Sequence, residues 1–329
     1  MPRLPRRPSW LRREPDAAIP VVPVAGREPR ILATRGAPMP FSKGRMAQAL
    51  VLAGADPERA YQIAMRIERE VNATAVDEIP IDQLHGMVED LLAREEGPDL
   101  VSRYHGWREV LRLDRPLMLL IGGATGTGKS TLATEVAYRL GISRITSTDV
   151  IRQAMRAFFA EELMPELHYS SFDAAEGLKI PLPDPDDEDR ALYGFIQQAG
   201  QVAVGANAVV ERAVFEGLST VVEGIHVVPG LVTADKHAGA VVVQLMLAVA
   251  DEEVHQAHFF TRGTDSGGLR AMDRYLKRFG EIRRIQEYLV ARAEKQGWPV
   301  IEASDPAQAL MAVIDLILER ATARPTAVP

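Results

Sequence analysis

Cysteine is absent from all 329 residues, which excludes disulfides, a thiolate metal site and a cysteine nucleophile. Long apolar runs are absent as well: no stretch reaches the ~18 consecutive residues of a membrane-spanning helix. The AIPVVPV segment behind the basic N-terminus is too short and too broken by proline for the core of a secretory signal. Positive charge is outweighed, at a net −7 with a pI near 5.6, which argues against coating nucleic acid while still allowing a local basic cleft. The chain reads as a cytoplasmic protein with neither membrane nor nucleic-acid partner, and its oligomeric state is left open. What is present is ordinary for a globular protein: 47% hydrophobic residues, in a length that admits about two domains.

The chain is organised around residues 117–132, LMLLIGGATGTGKSTL. An apolar run at 117–121 reads as a buried strand, and it leads into Gly123-Ala124-Thr125-Gly126-Thr127-Gly128-Lys129-Ser130, followed by Thr131. This matches G-x-x-x-x-G-K-[ST], the phosphate-binding loop of nucleoside triphosphate enzymes. The glycines let successive backbone N–H groups converge on one anion. Lys129 then reaches the β- and γ-phosphates of ATP, and the Ser130 hydroxyl is placed to ligate Mg²⁺. The helix beginning at residue 130 adds the positive end of its dipole.

Composition and periodicity divide the rest. Residues 1–29 form a Pro/Arg-rich tail, read as a solvated segment or a binding arm. One short strand is expected near 30–34. Residues 41–111 carry four amphipathic helices. The first has Met46, Ala47, Leu50 and Val51 and stops at Gly54; the second starts at Asp56-Pro57 and buries Ile63, Ile67 and Val71. The third has Ile81, Leu84 and Val88 between Pro80 and Gly97-Pro98, and the fourth has Leu100, Tyr104, Trp107 and Leu111. From 114 to 322 strands and helices alternate, as in a parallel sheet flanked by helices, with strands at 117–121, 145–147, 220–222, 241–249 and 300–302. Residues 323–329 form a flexible end. The acidic loop at 184–190 reads as solvated charge rather than a metal cluster.

Ligands of an open parallel sheet lie outside the carboxyl ends of its strands. There the second strand runs into Ser147-Thr148-Asp149, with Arg152 one turn later. Asp149 either caps the helix or accepts an acceptor's hydroxyl proton, and Arg152 on the same face would hold an acidic substrate. The third strand ends in Glu223-Gly224, where a carboxylate serves Mg²⁺; His226 beyond it reads equally as substrate contact or structural histidine. Residues 251–268 read as a polar closing lid carrying Arg262. Arg270, Arg274 and Arg278 follow at helical spacing, so their repulsion must be offset by Asp273 and Glu281 or by a phosphate.

Two resemblances extend this reading. PFSKGRMAQALVLAGADPERAYQIAMRIEREV, with DEIPIDQLHGMVEDLL and SRYHGWREV, resembles an ATP-cone over residues 30–113. In such a domain a basic residue near Lys43-Gly44-Arg45 would help hold nucleotide phosphates; a plain helical packing module is the alternative. GGATGTGKST, STDVIR, LHYSSFDA, VVEGIHVVPG, RYLKRFGEIRRIQEYL and PVIEAS, in that order, resemble the 2-phosphoglycerate kinases, which commonly carry an ATP-cone in front. The resemblance implies an α/β phosphate-loop kinase behind a small, mainly helical ATP-cone-like domain. It implies phosphoryl transfer from ATP to 2-phosphoglycerate, with Arg152, His168, Ser170, Ser171, His226 and the lid arginines facing that phosphorylated acid. A kinase of a nucleotide-sugar or polynucleotide 5′-hydroxyl, and a non-catalytic ATP sensor, are the alternatives carried beside it.

Overall fold

The computed structural model describes residues 30–32, 38–74, 76–111, 115–179, 189–233, 239–265 and 272–322, with backbone alone at 111, 260–265 and 272. Both tails, residues 184–188 of the acidic loop and Arg270 therefore lie outside the described residues.

The first body is mainly helical: β1 (Arg30–Leu32), β2 (Met39–Pro40), α1 (Lys43–Leu52), α2 (Pro57–Ala73), β3 (Glu78–Pro80), α3 (Ile81–Glu95) and α4 (Pro98–Leu111). Local chemistry sets the helix starts. The Ser42 hydroxyl accepts from the Arg45 amide, and the Asp56 carboxylate accepts from the Glu58 and Arg59 amides beside Pro57 at the first helical position. The expected single strand proves to be the centre of a small sheet ordered β2-β1-β3. Its two outer strands are two and three residues long, too short to leave an alternating pattern in the sequence.

The second body contains β4 (Leu117–Gly123), α5 (Lys129–Leu140), β5 (Ile145–Ser147), α6 (Thr148–Phe158), α7 (Arg190–Phe215), β6 (Thr220–Glu223) and β7 (Val241–Ala248). It continues with α8 (Glu252–Asp265), α9 (Met272–Lys277), α10 (Phe279–Lys295), β8 (Val300–Glu302) and α11 (Pro306–Thr322). Five strands form one wholly parallel sheet, β5-β6-β4-β7-β8. Every residue of central β4 is buried, as expected for a strand covered on both faces. Strand alternation then divides the core. Leu117, Leu119 and Ile121 pack with Val136, Val313 and Ile317 of α5 and α11, while Met118 and Leu120 pack with Val202 of α7 and Ile285 of α10.

The first of these cores is continuous with the helical body, taking in Leu50, Ile67, Leu91 and Trp107. Polar contacts cross the same junction: Gln48 donates to the carbonyls of Tyr138 and Arg139 at the end of α5, and Arg103 pairs with Asp315 at 3.3 Å. A cavity of about 440 Å³ opens there, lined by Phe41, Ser42, Arg45, His85, Tyr104 and Arg139 among others. Lys43 pairs with Glu68 at 3.2 Å. No helix among the described residues is long and apolar enough to cross a membrane.

Two expectations need correction. Residues 252–265 are helical rather than a polar loop, because the Asp251 carboxylate caps the Glu253 and Val254 amides and His255 and Phe259 bury one face. Nor do Arg274 and Arg278 share one helix: the backbone breaks at Arg278, between α9 and α10.

Candidate active site

Sheet register gathers the site. Ile121 pairs with Glu223, and Glu223 pairs with Ser147 across the next strand. The carboxyl ends of three neighbouring strands thus deliver the phosphate loop, Glu223 and the start of α6 to one edge.

Within the loop Gly126 has φ +91°, and its missing Cβ leaves room for the Phe259 ring, whose Cζ would lie 2.6 Å from such an atom. Thr127 is fully buried and donates to the Ala124 carbonyl at 3.0 Å. Lys129 is 5% exposed; its ammonium donates to the same carbonyl at 2.5 Å and contacts Thr127 Oγ1 at 3.5 Å. The lysine therefore lies folded over the concave side of the loop formed by Gly123, Ala124, Thr125, Gly126, Thr127 and Gly128. Ser130 and Thr131 open α5 with exposed side chains.

The Ser130 hydroxyl donates to Glu223 Oε1 at 3.1 Å, although the two residues lie far apart in sequence. Glu223 is only 4% exposed. A hydroxyl and a carboxylate side by side are hard oxygen donors of the kind Mg²⁺ takes when phosphate and water oxygens complete its shell. Among the described residues no group of three or more His, Asp or Glu could hold a metal unaided. The donor set thus suits an ion that arrives with a nucleotide.

Asp149 lies in the first turn of α6, where the Ser147 hydroxyl, not Asp149, accepts the capping hydrogen bond. Its carboxylate is 63% exposed and stands 3.7 Å from Arg152. Arg152 is held on the other side, donating from Nη1 to the carbonyls of Leu167 and Tyr169 at 2.8 and 3.0 Å. Burial lowers its pKa from the ordinary arginine value, and the Asp149 charge opposes that.

His226 is completely buried, with Nδ1 3.0 Å from Thr148 Oγ1 and Nε2 3.0 Å from Gln198 Oε1. The Gln198 oxygen can only accept, so Nε2 carries the proton and Nδ1 accepts from the threonine hydroxyl. Burial drives the imidazole pKa down to about 4, keeping it neutral. Gln198 in turn donates to the carbonyls of Glu166 and Tyr169, tying α7 to the segment that carries His168, Ser170 and Ser171. His168 donates from Nε2 to the Phe159 carbonyl, and Ser171 is buried. Both ring nitrogens of His226 and one of His168 are thus spent inside the protein.

Asp173, the acidic residue of the SSFDA run, receives Arg274 through Nε at 3.1 Å and Nη2 at 2.5 Å, and Arg278 through Nε at 2.9 Å. It supplies the anion that the two arginines require, together with Glu281, 3.0 Å from Arg278. The Arg274 guanidinium also lies 5.6 Å from the Phe172 ring centre. Phe172 meets Tyr275, Tyr275 stacks on Phe259, and Phe259 stacks on His255, so aromatic contacts run from this segment to the phosphate loop. The Arg262 side chain is outside the described residues. Asp173, Gln198, His255, His258 and Phe259 were not identified as site residues from sequence. The His255/Phe259 spacing at i, i+4 behind an Asp cap was the one available signal.

Comparison with known proteins gives the family. The ATP cone domain family matches residues 29–112. A 2-phosphoglycerate kinase of Methanothermobacter thermautotrophicus is 41% identical over 86% of this chain and 90% of its own. Another from Thermococcus kodakarensis is 41% identical over 80% of this chain and 88% of its own. A solved gluconokinase from Sinorhizobium meliloti 1021 overlaps with a TM-score of 0.32 and 15% identity, over 64% of this chain and 93% of that one. The parallel strand order, rather than that slight overlap, carries the fold class.

Proposed function

Because the chain belongs to the 2-phosphoglycerate kinase family, we propose that it transfers the γ-phosphoryl group of ATP to the 3-hydroxyl of 2-phosphoglycerate, giving 2,3-bisphosphoglycerate and ADP. The observation that carries the chemistry is the Ser130–Glu223 hydrogen bond beside buried Lys129, with Asp149 one strand away. Phosphoryl transfer asks little covalent work of a protein; it needs positioning and neutralised charge.

In this reading the loop amides hold the phosphates, and Lys129 exchanges the Ala124 carbonyl for phosphate oxygens. Ser130 and Glu223 would hold Mg²⁺, which would neutralise charge on the phosphoryl oxygens. The acceptor oxygen forms its bond to the γ-phosphorus as the bond to the bridging oxygen of ADP breaks, and the hydroxyl proton passes to Asp149. Arg152 and Arg274 would offer positive charge to the acceptor's phosphate and carboxylate, and the roles given to Arg262, neutralising the transferring phosphoryl group, and to Arg270, binding the acceptor, rest on the sequence alone. Ser170 and Ser171 offer hydroxyls to the same group, while His168 and His226 act from behind by fixing the wall that carries them. Beside ATP and Mg²⁺, the partner in this reading is a small phosphorylated acid, and we assign the enzyme to the cytoplasm.

The test is turnover. With ATP, Mg²⁺ and 2-phosphoglycerate the protein releases ADP, and Lys129→Ala lowers that rate by roughly two to three orders of magnitude, the weight of one lost charge-stabilising donor. Unchanged turnover in the variant would contradict the assignment.

A further inference from the structure

We propose that His255 and His258 are positioning residues that aim the anion-binding amides of the phosphate loop. His255 Nε2 lies 2.9 Å from the Thr125 carbonyl oxygen, and His258 Nδ1 lies 2.9 Å from that of Gly126. Both side chains come from α8 and meet the loop 130 and 132 residues away in sequence. The inference rests on the reading that this loop binds a nucleotide.

The argument is one of peptide geometry. A trans peptide unit is planar, so its C=O and the N–H of the next residue point in opposite directions. Holding the Thr125 oxygen outward against His255 therefore turns the Gly126 N–H toward the concave side of the loop. Holding the Gly126 oxygen against His258 does the same for the Thr127 N–H. Such a hold matters at Gly126, whose φ of +91° belongs to a residue with little intrinsic preference between backbone wells. Without the two imidazoles, rotation of these peptide units would swing an amide away from the phosphate at small cost.

Burial makes the His255 contact one-sided. The ring is fully buried, stacked on Phe259 at 5.6 Å and edge-on to Phe279 at 5.5 Å. A proton must sit on Nε2 for a carbonyl to accept, which leaves Nδ1 bare, and that atom has no partner among the described residues. Burial also lowers the imidazole pKa to about 4. A neutral ring with one N–H, committed to one carbonyl, is a fixed donor. The same ring closes over Gly126, with Nε2 3.0 Å from where a Cβ would stand, so loop and helix meet without slack.

The full chain is titrated with N-methylanthraniloyl-ATP and Mg²⁺, with no acceptor present. In His255→Phe the ring stack remains and the N–H is lost; His255→Gln returns an amide N–H near the Nε2 position. His258→Leu and His258→Asn form the matching pair for Nδ1. The proposal expects His255→Phe and His258→Leu each to weaken the probe about tenfold, one hydrogen-bond equivalent of ~1.4 kcal/mol. His255→Gln and His258→Asn should return to within about threefold of the wild type, and the KM for acceptor should stay unchanged while the KM for ATP rises. A purely structural role would move both KM values together and leave the amide variants no better than the apolar ones. That result, or probe affinity in both apolar variants within about twofold of the wild type, overturns the inference. If His255→Phe fails to fold, the His258 pair decides alone. A wild-type chain that binds the probe but does not phosphorylate 2-phosphoglycerate contradicts the acceptor assignment and leaves the histidine inference intact.

Discussion

Replacing Gly224 by alanine tests how tightly Glu223 is coupled to the start of α6. Gly224 follows the buried carboxylate at φ +146°, and a Cβ there would stand 1.9 Å from Thr148 Oγ1. Real side-chain carbons essentially never approach within 3.0 Å, so the hydroxyl must withdraw by about 1 Å and give up its 3.0 Å bond to His226. Three costs follow: about 1–3 kcal/mol for a non-glycine residue in that backbone region, a lost hydrogen bond, and a buried imidazole nitrogen without a donor, about 1–3 kcal/mol more. The expected loss is roughly 3–5 kcal/mol in urea unfolding, with an unchanged denaturant slope. Gly217→Ala is the control. Its φ is +66° with no atom within 4 Å of an added Cβ, so it should lose only about 1 kcal/mol. Because Thr148 begins the helix that carries Asp149, turnover should fall in Gly224→Ala and not in Gly217→Ala. Equal stability losses in the two variants would refute the reasoning.

Two further outcomes follow from the same geometry. His226 and His255 both have folded pKa values lowered to about 4 against an ordinary value of 6.5, so the unfolded chain binds more protons between those limits. Their contribution to stability is fully present above pH 6.5 and is lost as pH falls toward 4, by up to ~3 kcal/mol for each; urea unfolding at pH 7, 6 and 5 reads the slope, and His255→Gln should flatten it. Asp173→Asn should cost only about 1–2 kcal/mol, since Arg274 and Arg278 are 56% and 40% exposed and water screens the charges left behind. Steady-state kinetics should show the KM for 2-phosphoglycerate rising while that for ATP holds; an unchanged acceptor KM would remove Asp173 from the acceptor side.

Much of the fold is legible in the sequence, for physical reasons. The phosphate loop is a contiguous motif, and β4 and β7, the central strands of the parallel sheet, are long apolar runs. Glu223 is recognisable because it ends the short buried strand β6, and Asp149 because it follows the Ser147-Thr148 start of a helix behind a strand. Contacts made only by folding were not legible. Gln198, in the middle of a 26-residue helix, carries no local sign that it will bond His226 and two carbonyls. Asp173 gains its meaning only when α9 brings Arg274 against it. The reading of a loop is overturned over 252–265, where the Asp251 cap and the His255/Phe259 pair build a helix against the phosphate loop that the glycines at 263, 267 and 268 had hidden.

The central claim is that this site phosphorylates 2-phosphoglycerate. Incubation with ATP, Mg²⁺ and either 2- or 3-phosphoglycerate, followed by phosphorus NMR of the product, tests it most directly. The account predicts two phosphomonoester resonances of 2,3-bisphosphoglycerate, formed from the 2-phospho isomer far faster than from the 3-phospho isomer. ATP turnover without that product, or formation of a different phosphoester from another acceptor alone, would contradict it.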